Sequence, residues 1–401
     1  MRPSAAGHPE KMSTSLRIAL VLNPFSPRAR GGAHASALAR ELLGRGHTVR
    51  GFGAPPSTIP RSGAEPDPDG LAPAAHSAGV SGFHPDVVIA YEALSPAAFA
   101  GARAARRCAV PLVLVESGLA VEGRLRERAL RRVGERLWGR YVRRAAARLI
   151  ALDPVARDLA LREGFAAGRV LVVPAGVDLE QFRPGLTSGL SALHRVRGRV
   201  MLYAGRLADG HGLEVLIEAF ARTVGQRADW SLVLAGDGPA RPRLRALVGR
   251  LGIGASVCWT GRPRPEELPG LMSGSTLLVL PAVDDSVRGR QIPRALACGL
   301  PVIASDLPHF RFLVEHDGSG LLVAPGDAEA WVAALSRAAT APEARKRWRV
   351  RARELAQTRL AWPGVCAEIE SILLAARAER ERPSRARSQA GPAEGIGPGE
   401  A

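Results

Sequence analysis

Short apolar runs rich in Val, Leu and Ile alternate with segments of helical period from one end of the chain to the other. This is the pattern of parallel strands covered on both faces by helices. The first runs predict strands near Arg17 to Leu22, Thr48 to Phe52, Asp86 to Ala90, Pro111 to Val115, Arg148 to Ala151 and Val170 to Val173. The plan then restarts, with strands predicted at Val200 to Ala204, Ser231 to Ala235, Val257 to Thr260, Thr276 to Leu280, Pro301 to Ala304 and Gly320 to Val323. Residues 54 to 83 break the alternation with Pro, Gly, Ala and Ser, and predict a long irregular loop, either a lid or an insertion. Residues 183–198 hold Pro184, glycines and no strong period, so a hinge is expected there, between domains at 12–182 and 199–358. A closing helix is expected over 359–376, returning to the first domain, and the Arg, Glu, Pro, Gly and Ala composition of 377–401 predicts a disordered tail.

One stretch departs from the others in charge. Arg124 to Arg148 carries ten arginines against two glutamates and predicts a single helix, with Leu130, Val133, Leu137, Tyr141 and Leu149 close to one stripe and Trp138 beside it. Two readings stand open: a basic amphipathic helix on an anionic membrane surface, or a surface helix whose stripe packs on the first sheet.

At 401 residues the chain exceeds what one core usually serves, which agrees with two domains. Hydrophobic residues at 46% and charged residues at 23% describe a globular protein rather than a disordered or membrane-spanning one. The formal charge of +17 raises nucleic acid as a partner, but the excess is almost all arginine, with Lys11 and Lys346 the only lysines. No zinc-finger, RRM or helix-turn-helix pattern accompanies it, so no nucleic-acid partner is expected and anionic small molecules or lipid headgroups remain. Cys108, Cys258, Cys298 and Cys366 are far apart and lack metal or redox spacing, which fits a cytoplasmic setting. No signal peptide is read at the N-terminus, and Met12 offers an alternative start.

After the first strand, Asn23-Pro24-Phe25 leads to Gly31-Gly32-Ala33-His34, read as a glycine loop opening a helix. Such a loop lets backbone approach a ligand, and free N–H groups of the following helix can meet an anion. It lacks the G-x-G-x-x-G spacing of dinucleotide sites, which argues against a nicotinamide or flavin enzyme. The second half brings Leu202-Tyr203-Ala204-Gly205-Arg206-Leu207, Leu216-Ile217-Glu218-Ala219-Phe220, Leu234-Ala235-Gly236-Asp237-Gly238-Pro239, Thr260-Gly261-Arg262, and Ala297-Cys298-Gly299-Leu300-Pro301. In this order, the blocks resemble the GT4-like, group 1 glycosyltransferase family.

The resemblance implies an α/β GT-B fold, two Rossmann-like doubly wound domains facing a cleft. It implies transfer of a sugar, with retention, from a nucleotide-sugar donor to a glycan or lipid-linked acceptor, in cell-surface glycan, polysaccharide or glycolipid synthesis. No cofactor and no metal are implied, so cations and helix ends must stabilise the departing diphosphate. Arg206 takes the family's arginine place there, and His211 stands where the family has lysine. A neutral imidazole there still has a hydrogen bond to donate, but its charge depends on pH. The donor side is further expected to involve Gly236, Asp237, Gly238, Arg262, Ser286, Gly289 and Arg294. The acceptor or phosphate side is expected to involve Gly31, Gly32, His34 and Glu116, where Glu116 reads equally as an ordinary strand-end acid.

The family's pair of glutamates seven residues apart is absent, with Ser286 and Arg294 in their places. An arginine has donors and no acceptor, so Arg294 cannot replace a carboxylate that binds hydroxyls. Placed at the start of its helix it would meet the positive end of the dipole, which predicts an anionic ligand group nearby. Asp284 and Asp285 read as solvated loop acids. An alternative follows from these departures: a catalytically impaired protein of the same fold serving as a binding or scaffold partner.

Overall fold

The computed structural model describes residues 15–22, 30–53, 79–118, 132–187, 196, 198–225, 227, 229–285 and 287–389. Its first sheet contains β1 (Arg17–Val21), β2 (Thr48–Phe52), β3 (Val87–Tyr91), β4 (Leu112–Glu116), β5 (Ala146–Ala151) and β6 (Val170–Val172), in the order β2-β1-β3-β4-β5-β6. The second contains β7 (Arg199–Ala204), β8 (Trp230–Ala235), β9 (Val257–Trp259), β10 (Leu277–Leu280), β11 (Val302–Ser305) and β12 (Gly320–Val323), in the order β12-β11-β10-β7-β8-β9. Pairing is parallel where β1 meets β2 and β3, and where β7 meets β8 and β10.

The reason these segments become strands is visible in their burial. All five residues of β3 and of β4 are buried, as are all six of β8, so neither face of those strands meets water. A parallel sheet needs helices over both faces, and capping residues start them where the sequence allows. Ser95 accepts from Ala98 N–H at 3.1 Å ahead of helix Pro96–Arg107, and Asp153 does the same for Ala156 at 2.7 Å ahead of helix Pro154–Arg162. Asp327 opens helix Ala328–Thr340 through Ala330 N–H at 3.0 Å. Each restores a backbone donor that the helix start leaves open, worth typically about 1 kcal/mol. Over the second sheet, Trp230, Trp331 and Trp348 are fully buried and anchor the core.

By contacts the chain divides into two units, one of Met1–Leu114, Arg140–Ala147 and Ile372–Ala401, the other of Val115–Gly139 and Arg148–Ser371. Three expectations need correction. The last helix does not stop at the expected tail but runs Trp362–Gln389, helped by an Arg377–Glu381 pair at 2.9 Å one turn apart; residues 390–401 lie outside the described residues. The basic stretch is not one helix: it passes through a π-helical turn Glu135–Gly139 and a short helix Arg140–Ala145 and enters β5 at Ala146, two residues ahead of the strand expected from Arg148. The strand expected from Arg148 is thereby found, with Leu149 paired to Val170. Finally, residues 79–83 of the expected loop are helical, with Val80 and Phe83 buried, while 54–78 lie outside the described residues.

Candidate functional site

In the second sheet the strand order reverses between β7 and β10, and ligands of such sheets bind beyond the carboxyl ends of the strands at that point. The loop after β7 carries Arg206 and His211. It is laced to the loop after β8 by Gly205 N–H to the Ala235 carbonyl at 3.0 Å, Leu207 N–H to Asp237 at 3.1 Å and Ala240 N–H to Leu207 at 3.0 Å. It is tied to the loop after β10 by Val283 N–H to the Gly210 carbonyl at 3.0 Å. Two glycines permit this approach, because a methyl group on Gly236 would overlap the Gly205 carbonyl oxygen and one on Gly238 the Leu207 carbonyl.

Arg206 is exposed, and its guanidinium makes no hydrogen bond or ion pair among the described residues. His211 is half-buried, with Nδ1 2.7 Å from the Tyr203 hydroxyl, which also lies 2.7 Å from the Arg206 carbonyl oxygen. Burial holds the His211 pKa below its ordinary value and the Arg206 charge adds to this, while Asp284 pulls the other way. Asp237 spends its carboxylate within its own turn, accepting from Gly238 N–H at 3.0 Å and pairing with Arg241 at 3.3 Å. Gly289 is buried with φ +58°, and a side chain there would run into the Phe310 ring.

The remaining expected donor residues are Arg262, Ser286 and Arg294. Arg262 is exposed, just beyond β9 at the sheet edge, next to Gly261 with φ +70°. Ser286 lies outside the described residues. Arg294 does not open its helix: it is the fourth residue of Gln291–Ala297, so the expected clash with the positive helix end does not arise. Its guanidinium lies 5.3 Å from the centre of the Phe182 ring and donates to Gln291 Oε1 at 3.3 Å. Burial and the neighbouring Arg290 both depress its pKa.

The acceptor-side residues fall into two places. Gly31 and Gly32 lie within the first turn of helix Arg30–Gly44 rather than ahead of it, and residues 23–29 are outside the described residues. His34 in that helix is buried and lies with Nδ1 2.9 Å from the hydroxyl of Tyr91, the last residue of β3. Glu116 ends β4 fully buried, and one carboxylate oxygen accepts from Gly118 N–H at 3.0 Å, which makes it a turn cap.

Sequence reasoning missed Tyr203, whose position inside a strand run gave it the look of a packing residue. It also missed Arg288, buried with Nη2 donating to the Gly118 carbonyl at 3.1 Å and Nη1 3.5 Å from Asp153. Gly118, at φ +72°, leaves the space that Arg288 fills. His309 lies under the same loop, with Nε2 2.6 Å from the Val287 carbonyl oxygen and Nδ1 3.3 Å from Asp285, so Asp285 is not simply a solvated acid. Burial pushes His309 below its ordinary pKa and Arg288 adds to that, against the Val287 carbonyl, Asp153 and Asp285. No spacing signal pointed to this cluster, whose members meet only through the fold.

Two family profiles match the chain: "Glycosyl transferase 4-like domain" over residues 31–176 and "Glycosyl transferases group 1" over residues 191–355. An alpha-D-kanosaminyltransferase of Streptomyces kanamyceticus is 32% identical over 211 residues, 51% of this chain and 54% of that protein. A D-inositol 3-phosphate glycosyltransferase of Jonesia denitrificans is 31% identical over 278 residues, 64% of this chain and 65% of that one. The chain thus spans from about half to about two thirds of the length of the curated relatives it matches. Among solved structures, Anabaena HepE in complex with UDP matches with TM-score 0.69 at 21% identity, covering 90% of this chain and 100% of that one. The sucrose-phosphate synthase of Thermosynechococcus elongatus matches with TM-score 0.70 at 22% identity, covering 90% and 99%. At these identities the structural likeness establishes the fold, the GT-B type built from two Rossmann-like halves.

Proposed function

The chain belongs to the group 1, GT4-like glycosyltransferases, and from that premise we propose that it transfers a sugar from a nucleotide-sugar donor to an acceptor, with retention, in cell-surface glycan, polysaccharide or glycolipid synthesis. The donor diphosphate sits beyond β7, held by Arg206 and His211. The observation that carries this reading is the unpaired Arg206 guanidinium beside His211 at the point where the strand order of the second sheet reverses. A fixed positive charge placed where a diphosphate departs stabilises the charge that develops in the transition state. The donor half is 199–358, the acceptor half 12–182 and the hinge 183–198. UDP and UDP-glucose, bound in the Anabaena structures, are the first ligands to try.

The missing glutamate pair favours a second reading, a binding protein of the same fold without turnover, because Arg294 offers no acceptor for a sugar or ribose hydroxyl. A thermal-shift screen of nucleotides and nucleotide sugars, followed by assay of sugar release, separates the two. A ligand at a hundred times its Kd adds about 2.7 kcal/mol of stability. Stabilisation with sugar release supports transfer, stabilisation without it the binding protein, and no shift with any nucleotide removes the donor site.

We assign peripheral membrane contact to the basic stretch, where Val133 and Leu137 are 48% and 71% exposed among exposed Arg132, Arg136 and Arg140. Apolar side chains among cations suit an anionic lipid surface. No helix among the described residues is long and apolar enough to cross a membrane. Co-sedimentation with phosphatidylserine vesicles is expected to fall with added salt and to vanish in Leu137→Glu; binding indifferent to both removes the assignment.

A further inference from the structure

The contacts of Tyr203 carry an inference that rests on the donor-site reading above. Its hydroxyl has a single hydrogen and lies 2.7 Å from both the Arg206 carbonyl oxygen and His211 Nδ1. A carbonyl oxygen only accepts, so the tyrosine hydrogen goes to Arg206, and Nδ1 must itself donate to the tyrosine oxygen. Burial pushes the Tyr203 phenol far above its ordinary pKa, which keeps that hydrogen in place. Gly205 makes room for the arrangement, since a Cβ there would come within 2.9 Å of the hydroxyl.

The neutral His211 ring therefore carries its one hydrogen on Nδ1 and a lone pair on Nε2, the nitrogen turned away from Tyr203. A lone pair repels phosphate oxygens; Nε2 donates to them only after taking a second proton. The hydrogen bond expected of a neutral imidazole at this position is already spent within the protein.

We propose that Tyr203 is a positioning residue that fixes the His211 tautomer, and that a nucleotide-sugar diphosphate binds at Arg206 and His211 with uptake of one proton at His211 Nε2. The proton comes from solvent and returns to it when the diphosphate leaves. The charged groups facing the ring agree with a neutral unliganded state. Arg206, on the same loop, disfavours the imidazolium, and Asp284 from the loop after β10 partly offsets it. Asp209 and Glu214, close in sequence, are both engaged by Arg243. A bound diphosphate places negative charge beside the ring and reverses the balance.

Isothermal titration of the full chain with UDP-, GDP-, ADP- and dTDP-glucose, in buffers of different ionisation enthalpy, counts the protons directly. These ligands hold both phosphate charges without titrating between pH 5.5 and 8.5, so proton uptake reports the protein. The expected result is net proton uptake at pH 7.5 that declines as the pH is lowered through the pKa of the free ring, which burial and Arg206 hold below its ordinary value. Affinity should fall by up to about tenfold per pH unit between the pKa of the free ring and that of the bound ring. His211→Gln should abolish the uptake. Tyr203→Phe should reduce it, because the freed ring can carry its hydrogen on Nε2, whereas a packing role would leave the proton count unchanged. His211→Lys should bind with no pH dependence across the range. If no nucleotide sugar binds at any pH, the donor-site reading falls and takes this inference with it. If one binds without proton uptake, or His211→Gln takes up the same number of protons, the donor site stands and the inference is overturned.

Discussion

Each half of the chain places a histidine against a tyrosine at the end of a central strand, and the two pairs are put to opposite uses. His34 lies 2.9 Å from the Tyr91 hydroxyl, and His211 lies 2.7 Å from that of Tyr203, both through Nδ1. His34 is 6% exposed in a helix packed on the first sheet, and burial alone drives its pKa down to about 4. His211 sits half-buried on a loop, where burial is only the largest of several influences and an arginine and an aspartate act against one another. The same pair of side chains is thus a buried neutral contact in one setting and, on the proposal above, a ring that takes up a proton in the other. What differs is how much water and how many charges reach the ring.

The largest effect expected from breaking this comparison lies at His34. Its folded pKa of about 4 is below the ordinary 6.5, so the unfolded chain binds the proton first as pH falls. Stability from this group is fully present above pH 6.5 and is lost as pH drops from 6.5 towards 4, on the order of 3 kcal/mol in all. His34→Gln should flatten that part of the pH dependence in urea unfolding. An unchanged acid slope would mean that His34 is not held neutral.

A second effect concerns Arg206. Its replacement by Ala should weaken nucleotide-sugar binding by about 1.5 to 3 kcal/mol, the range for a hydrogen bond to a charged group, while leaving the melting temperature of the free protein nearly unchanged. Affinity unchanged in titration would remove Arg206 from the site. Restoring the family pattern with Ser286→Glu and Arg294→Glu should raise affinity for the same ligands by a smaller amount, because it trades the Arg294 contact with Phe182 for acceptors to sugar or ribose hydroxyls. Calorimetry on the folded double variant checks it, and no change would uncouple position 294 from the donor.

The smallest effect sharpens the contrast most directly. Asp284→Asn should lower the His211 pKa, because Asp284 favours the charged ring, and Arg206→Ala should raise it, because Arg206 opposes that charge. Neither change should move His34, whose shift comes from burial alone. Imidazole NMR titrations of the two variants measure both rings at once, and a shift at His211 in the wrong direction would refute the charge assignment.

The strand pattern, and with it the fold, was legible in the sequence because parallel strands buried on both faces must be continuously apolar. The run at 48–52 and the run at 320–323 coincide with β2 and β12, and the other runs overlap their strands. The turn chemistry of Asp237 and Gly238 was equally legible, since a side chain that caps its own turn acts within a few residues. Charge and composition misled at the tail, where helix Trp362–Gln389 gains from an ion pair one turn apart, and in the basic stretch, where the expected single helix is broken by a π-helical turn and ends ahead of the expected strand β5.

The sequence by itself determined two sets of parallel strands, the loop that presents Arg206 and His211, and the loss of the glutamate pair, because all of these are local or follow from periodicity. Only the tertiary structure decided which ring nitrogen of His211 is free, that Arg294 lies on Phe182, and that Arg288 reaches Gly118, 170 positions away. The physical reason is that a hydrogen bond is set by distance and direction between atoms. The chain brings Tyr203, the Arg206 carbonyl and His211 within reach only once β7 is paired and the loop after it has turned back.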